Sequence, residues 1–371
     1  MKRSQIQIGK IKGIPVGLDY SWFLVFILVT WILAASYFPA QYKGWSAMAY
    51  WITGSITSVL FFGSVLLHEL AHSVFAVKYD IKVRRITLFV FGGIAEITEE
   101  PKKPSQEFWI ALAGPLMSFL IAFISYFISK EFSQYPKISA VFEYLFEINF
   151  ILAIFNLVPG FPLDGGRVFR AVVWAFTKNF QKATSIAAVV GRFFGFLFIL
   201  YGFMLMMKGS VVDGIWIAFI GWFLESAALA QVQRQVVSKL LAGHKVADAM
   251  SRSYALLPSD TTIQDFIQNN MLFKNRRFFI VEENGENIGF FTIHSMNEVP
   301  KEKWDTVTVK EIMTPISEMK KTTPDFPLLE ALKEMDKDGV NQLPVYEDGK
   351  IIGILSRENI ITYLHTMHLN S

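Results

Sequence analysis

The sequence predicts a polytopic α-helical membrane domain of six transmembrane helices with a small β region, followed by a soluble α+β module built from two tandem repeats. Three observations predict it. Apolar runs long enough to span a bilayer are confined to the first 235 residues. Along that part, connections rich in Lys and Arg alternate with connections poor in them. From Val246 the chain repeats itself at an interval of 63 to 64 residues. The expected division is a membrane domain over 1–235 and two soluble repeats over 246–304 and 305–371.

A helix needs about 20 mainly apolar residues to cross the hydrocarbon core. Tyr20 to Tyr42, Gly44 to Leu67 and Phe108 to Ser129 each satisfy this without a charge, and Pro39 and Gly44 separate the first two. A fourth run, Ile138 to about Phe176, carries Glu143 and Glu147 near its start and is broken by "NLVPGFPLDGGR". The last two runs are Ala187 to Met207, with Arg192 inside it, and Gly214 to Val232, with Glu225. The first run begins near Leu18 and is of full spanning length, so it reads as a span and not as a cleaved signal.

Basic residues orient the spans. Lys2, Arg3, Lys10 and Lys12 precede the first, and Lys43 alone follows it. Lys78, Lys82, Arg84, Arg85, Lys102 and Lys103 crowd the next connection, and the one after has Lys130 and Lys137 alone. Arg167, Arg170, Lys178 and Lys182 then surround a basic turn, and Lys208 lies in the last. This alternation places both termini in the cytoplasm and requires an even number of spans. The net charge of +3 is too small to indicate nucleic acid as a partner. There is no cysteine, so disulfides and thiolate chemistry are excluded, and any metal must take N or O ligands.

The second span ends in "LLHELAHSV", residues 66–74. Ionisable side chains are expensive in an apolar span, so a cluster there points to function. "HELAH" is H-E-x-x-H, which on a helix sets His68 and His72 one turn apart, able to hold one zinc ion together. Glu69 points off that axis and can act as general base toward a water at the metal. Run inward from about Tyr50, His68 lies about 27 Å along the helix, toward the cytoplasmic side of the core. A catalytic zinc site wants three protein ligands and an open position. Asp164 in "NLVPGFPLDGGR" is the candidate third ligand, because prolines and glycines there must break the span and such backbone lines cavities; the alternative is a helix cap. Asn156 is a candidate donor to a substrate carbonyl or oxyanion, or else an interhelical hydrogen-bond donor.

"HELAH" together with "FNLVPGFPLDGGR" resembles the site-2 protease family of intramembrane metalloproteases, over residues 1 to about 235. The resemblance implies zinc held by His68, His72 and Asp164, with Glu69 activating water to cleave a peptide bond in or near the membrane. It implies a single-span membrane protein as substrate. It also implies that "AGPLMS", with Gly114 and Pro115, is a core packing element, which small residues suit in any case. "RRITLFVFGGIAEITEE" reads as strands around Gly92 and Gly93, and the family resemblance implies that this β region is membrane-reentrant. Such a hairpin either covers the site or holds an extended substrate by strand addition, with Gly92 and Gly93 as substrate contacts.

In the tail, "VADAMSRSYALLPSDTTIQDFIQ" is echoed by "VKEIMTPISEMKKTTPDFPLLEALK", and "FFIVEENGENIGFFTIHSM" by "QLPVYEDGKIIGILSRENI". Each unit reads strand–helix–strand–turn–strand–helix, and two such short units should pack as a pair. This resembles a tandem of cystathionine-beta-synthase (CBS) domains over roughly 246–366, which implies homodimerisation or gating and, in a cleft between the units, an adenosine nucleotide. The positions of the nucleotide motif are Gly353, Ser356 and Asn359, and Gly289, Thr292 and Ser295. The ribose-binding aspartate is absent from both. His244, His294, His365 and His368 read as surface residues without a metal role.

Two functions compete. One is a zinc-dependent intramembrane endopeptidase in the bilayer, regulated or dimerised by its CBS pair. The other is a CBS-regulated metal-ion transporter or channel, with the His and Asp cluster as transit site and Glu69 as a ligand. A glutamate between two histidines one turn apart favours the peptidase.

Overall fold

The computed structural model describes residues 5–90, 92–269, 278–296, 299–348 and 350–369. The side chains of His294 and His368, expected at the surface, and Gly349 of the second expected hairpin turn lie outside what is described. The chain forms two compact units, residues 1–235 and 236–371.

Among the described residues six helices are long and apolar enough to cross a membrane: 20–41, 47–78, 104–131, 136–156, 180–207 and 211–241. The first consists of α1 (Tyr20–Ile32), a π-helical turn over Leu33–Tyr37, and α2 (Phe38–Gln41). Pro39 lacks an N–H, and the wider turn just before it accommodates the lost bond without ending the span. Then come α3 (Ala47–Lys78), α4 (Pro104–Glu131) and α5 (Pro136–Asn156). The run expected from Ile138 to Phe176 is two elements. After Asn156 the chain leaves the helix through Pro159–Leu163 and restarts as α6 (Asp164–Thr177), an amphipathic helix too short to span. α7 (Phe180–Met207) and α8 (Val211–Leu241) close the series.

The charges that interrupt the apolar runs are matched. Arg192 on α7 lies 3.5 Å from Glu225 on α8. Tyr37 donates to Glu147 at 2.8 Å, and Tyr42 donates to Glu143. α7 and α8 meet glycine to glycine, since a Cβ on Gly202 would run into the Gly214 carbonyl and one on Gly221 into the Gly195 carbonyl.

The β region is larger than the sequence reading anticipates. Beside β3 (Val83–Phe89) and β4 (Gly92–Ile97) stand β1 (Gln5–Ile11) and β2 (Ile14–Asp19), in the order β1-β2-β3-β4. Lys12 and Gly13, both at positive φ, turn β1 into β2. β2 pairs in parallel with β3, Val16 opposite Ile86, and β3 antiparallel with β4, Thr87 opposite Ile94. Ile14, Val16, Ile86 and Leu88 are buried, and β4 is an edge strand.

The second unit begins with the end of α8 and α9 (Val246–Ala249). Its first repeat runs β5 (Leu256–Pro258), α10 (Ile263–Asn269), β6 (Phe278–Glu283), β7 (Glu286–Thr292) and α11 (Ile293–Met296). α12 (Val309–Ile312) and β8 (Thr314–Pro315) follow, β8 extending the first repeat's sheet. The second repeat is α13 (Leu328–Asp338), β9 (Gln342–Glu347), β10 (Lys350–Ser356) and α14 (Arg357–Leu369), its first strand reduced to a bridge between Thr322 and Val345. Asn284 and Gly285, both at positive φ, form the β6–β7 turn. Phe278, Ile280 and Phe290 of one repeat share a core with Ile351 and Ile354 of the other, so each half buries the other's apolar face.

Candidate metal centre

α3 starts at Ser46, whose side chain accepts from Ala49 N. Its inner face is lined by small residues, Thr53, Thr57, Ser64, Ala71 and Ala76, which let α4 approach closely. His68 and His72 lie on that face, each 4% exposed. Their Nε2 atoms lie 3.2 Å apart, and Asp164 Oδ2, from the first residue of α6, lies 3.1 Å from both. The three come from sequence positions up to 96 residues apart, and they are the one group of potential metal ligands found among the described residues.

The imidazoles are held from behind. His68 Nδ1 is 2.9 Å from Ser118 Oγ, and His72 Nδ1 donates to the Ile110 carbonyl at 2.6 Å. A histidine whose Nδ1–H is engaged presents the lone pair of Nε2 to a metal. The carbonyl next to that of Ile110, at Ala111, has no helical donor because Pro115 lacks an N–H. Gly114 lies against both rings, and a Cβ there would collide with the Nε2 atoms. "AGPLMS" is therefore a wall of this centre, beyond the packing role expected of it.

The residues present fit a zinc ion. Two neutral imidazoles and one carboxylate are a familiar catalytic ligand set. Their spacing of 3.1–3.2 Å is close to the roughly 3.4 Å edge of a tetrahedron with bonds of about 2.0–2.1 Å. Three ligands leave the fourth direction open. Asp164 also occupies a helix N-terminus, which favours its negative charge.

Glu69 stands outside the ligand group. Its side chain makes no hydrogen bond among the described residues and lies under β4, where a Cβ on Gly93 would overlap Glu69 Cγ. Gly92 has φ +120°, open to glycine, and nothing lies where its Cβ would be. The two glycines thus differ: Gly92 shapes the turn, and Gly93 brings the edge strand onto Glu69. Asn156 is the last residue of α5, and its side chain makes no hydrogen bond among the described residues.

In the second unit Thr292 and Ser356 line one cavity of about 830 Å³ between the repeats, with Phe278, Gln342 and Arg357. Asn359 is turned to the backbone: its Oδ1 accepts from Ser356 N at 3.0 Å and Ser356 Oγ at 2.7 Å, capping α14. Ser295 is engaged with Thr292 in the same manner, 2.9 Å between the hydroxyls. His244 contacts Tyr363, 2.8 Å from its hydroxyl.

Sequence reasoning did not anticipate the two Nδ1 anchors. The signal for Ser118 is its place on α4 four residues after Gly114, on the same helix face. A backbone carbonyl such as that of Ile110 leaves no signal at all.

Comparison with known proteins bears on this centre. The family model described as Peptidase family M50 matches residues 56–135 and 128–200, and that described as CBS domain matches residues 246–300 and 309–366. A Synechocystis sp. protein, provisionally named a zinc metalloprotease, is 32% identical over 98% of this chain and 96% of its own length. A zinc metalloprotease of Methanocaldococcus jannaschii is 29% identical over 98% of this chain and 97% of its own. Among solved structures, the site-2 protease from M. jannaschii is 31% identical, covering 62% of this chain and 95% of that one, with a TM-score of 0.42. Zinc is the cofactor these relatives imply, and the ion-transporter alternative gives way to an enzyme. The chain belongs to peptidase family M50, as a zinc metalloprotease of the site-2 type that carries a tandem of CBS domains in its C-terminal part.

Proposed function

We propose that this zinc metalloprotease cleaves a peptide bond in or near the transmembrane segment of a single-span membrane protein, at a centre formed by His68, His72, Asp164 and Glu69. The observation that carries the proposal is a ligand triad with a free carboxylate beside it, Glu69, directly beneath the edge strand β4. A helical substrate hides its peptide bonds, so it must be extended before hydrolysis. β4 offers unpaired backbone groups on its open edge, to which an extended segment can add as a fifth strand. Gly93 then sets that segment over Glu69.

His68, His72 and Asp164 would hold the zinc ion, which would supply Lewis acidity toward the scissile carbonyl and a bound water. The chain's own residues do the rest. Ser118 and the Ile110 carbonyl hold both histidines in the tautomer that presents Nε2. Glu69 accepts a proton from the attacking water and passes it to the leaving nitrogen. Asn156, at the end of α5 and eight residues before Asp164, donates its amide to the carbonyl oxygen as charge develops there. The alternation of basic connections supports cytoplasmic termini and a centre toward the cytoplasmic side of the bilayer. The domain limits we propose are 1–235 for the protease and 246–304 and 305–371 for the CBS repeats, the latter serving to regulate or to dimerise.

The test is cleavage of a model single-span substrate by the detergent-purified protein. Wild type should cleave, a chelator should stop it and zinc restore it. Glu69→Gln should retain zinc and lose activity by roughly 10²–10⁴-fold. Undiminished cleavage by Glu69→Gln would remove the general base from the proposal.

A further inference from the structure

One ion pair inside the membrane unit has no part in the chemistry above. Glu107, in the first turn of α4, is fully buried, and Arg170 on α6 is 4% exposed. Arg170 Nε donates to Glu107 Oε1 at 2.7 Å, and Nη2 donates to the same oxygen. Nη1 donates to Thr184 Oγ1 on α7 at 3.3 Å. The guanidinium also lies over two rings, 5.0 Å from the centroid of Phe161 and 4.5 Å from that of Phe180. Phe161 belongs to the loop that delivers Asp164. One side chain on α6 thus touches α4, α7 and the loop before the third ligand.

Glu107 is the first member of a stripe. Residues 107, 110, 114 and 118 are three, four and four apart and share one face of α4. Ile110 anchors His72, Gly114 makes room for both rings, and Ser118 anchors His68. Arg170 follows Asp164 by six residues, about 9 Å along α6, and Glu107 precedes Gly114 by seven, about 10 Å along α4. The ion pair therefore joins the helix that orients the histidines to the helix that carries the aspartate.

Stability alone explains the pair poorly. Desolvating two charges offsets much of their attraction, and apolar replacements of buried pairs are often as stable. Here Glu107 Oε2 has no hydrogen-bond partner among the described residues, so part of that cost is unrelieved. What the fork, the hydroxyl and the two rings supply is one fixed geometry.

We propose that Glu107 and Arg170 are positioning residues, a cross-brace between α4 and α6 that brings Asp164 Oδ2 to the two imidazole nitrogens and so sets the metal affinity of the centre. The inference rests on His68, His72 and Asp164 being the zinc ligands.

The experiment measures zinc affinity by chelator competition, and the visible spectrum of the cobalt-loaded protein, on the full chain in detergent. Glu107→Gln should raise the zinc Kd about 10–100-fold, the range for loss of an outer-shell partner, and shift the cobalt bands. Arg170→Lys, which keeps the charge but not the fork or the ring contacts, should fall between it and wild type. Asp164→Ala, measured alongside, should bind more weakly than either. Wild-type Kd and spectrum in both brace variants, with zinc lost in Asp164→Ala, would overturn the brace and leave the ligand set standing. Wild-type zinc binding in Asp164→Ala would overturn the ligand set and the brace with it. A lowered melting temperature of the metal-free variants with an unmoved cobalt spectrum would show a merely structural pair. Should Glu107→Gln not fold, the neutral double variant Glu107→Gln with Arg170→Gln buries no unpaired charge and is judged by the same readings.

Discussion

Gly114 of α4 lies against the imidazole of His72, leaving no room for even a methyl group between helix backbone and ring. Gly114→Ala should therefore displace one or both Nε2 atoms. Zinc content of the purified variant should fall by at least the ~10–100-fold in affinity that a lost outer-shell contact costs. Helical circular dichroism should stay near wild type. Full zinc loading would contradict the close approach.

Gly93 makes the corresponding approach to Glu69 from the β4 edge. Gly93→Ala should leave zinc binding intact and lower kcat by about 10²-fold, by moving the carboxylate out of line. Steady-state kinetics beside a metal assay separates this from Gly114→Ala, in which metal and activity fall together.

Ser118→Ala removes the hydrogen bond to His68 Nδ1 and leaves the ring free to turn. Zinc Kd should rise about tenfold. Ser118→Thr, which restores the hydroxyl, should recover most of the loss in the same chelator titration.

The cavity between the CBS repeats has hydroxyls at Thr292 and Ser356 and a carboxylate at Glu358, but the motif position of the ribose-binding aspartate is Asn359. Asn359→Asp can keep the cap on Ser356 and adds the missing charge. AMP affinity by calorimetry should tighten by about tenfold, or 1.4 kcal/mol. An unchanged affinity would place the cavity outside nucleotide recognition.

In the same unit Lys310 donates to Glu283 at 2.5 Å and Ser259 donates at 3.1 Å. The Lys310 ammonium, with the Ser259 hydroxyl, holds the Glu283 carboxyl below its usual range. A depressed carboxyl stabilises the fold above its unfolded pKa, and that contribution disappears as pH falls through the folded value. Thermal scans of the full chain below about pH 4.5 should therefore converge for wild type and Glu283→Gln, and separate slightly above it, since the pair is exposed.

Much of this was legible in the sequence because it depends on run length and on spacing within one element. Six spans follow from apolar stretches, and the H-E-x-x-H pair follows from a helical repeat. Asp164 was reachable because prolines and glycines in an apolar run must mark a cavity or a boundary. What escaped depends on contacts between distant segments. The β1–β2 hairpin is signalled only by the alternation in "QIQIGKIKGIPVGLD", which is easily outweighed by the long span after it. Gly92 and Gly93 look alike in sequence, and only the packing of β4 on α3 tells them apart. Arg170 counts in the sequence only as one basic residue of a turn, and Glu107, 63 residues away, carries no signal there; burial and ring contacts bring them together.

The parallel pairing of β2 with β3 sets an order of events for the nascent chain. Val16 has no strand neighbour on that side until Ile86 has been made, 70 residues later, with two membrane segments laid down between them. Asp164 is synthesised later still, after two more. A ribosome-bound chain that already carries the histidines and the glutamate is thus without Asp164, the third ligand we propose, until four segments have been delivered to the bilayer. On that proposal the centre is completed only after four of the six long apolar helices have been made.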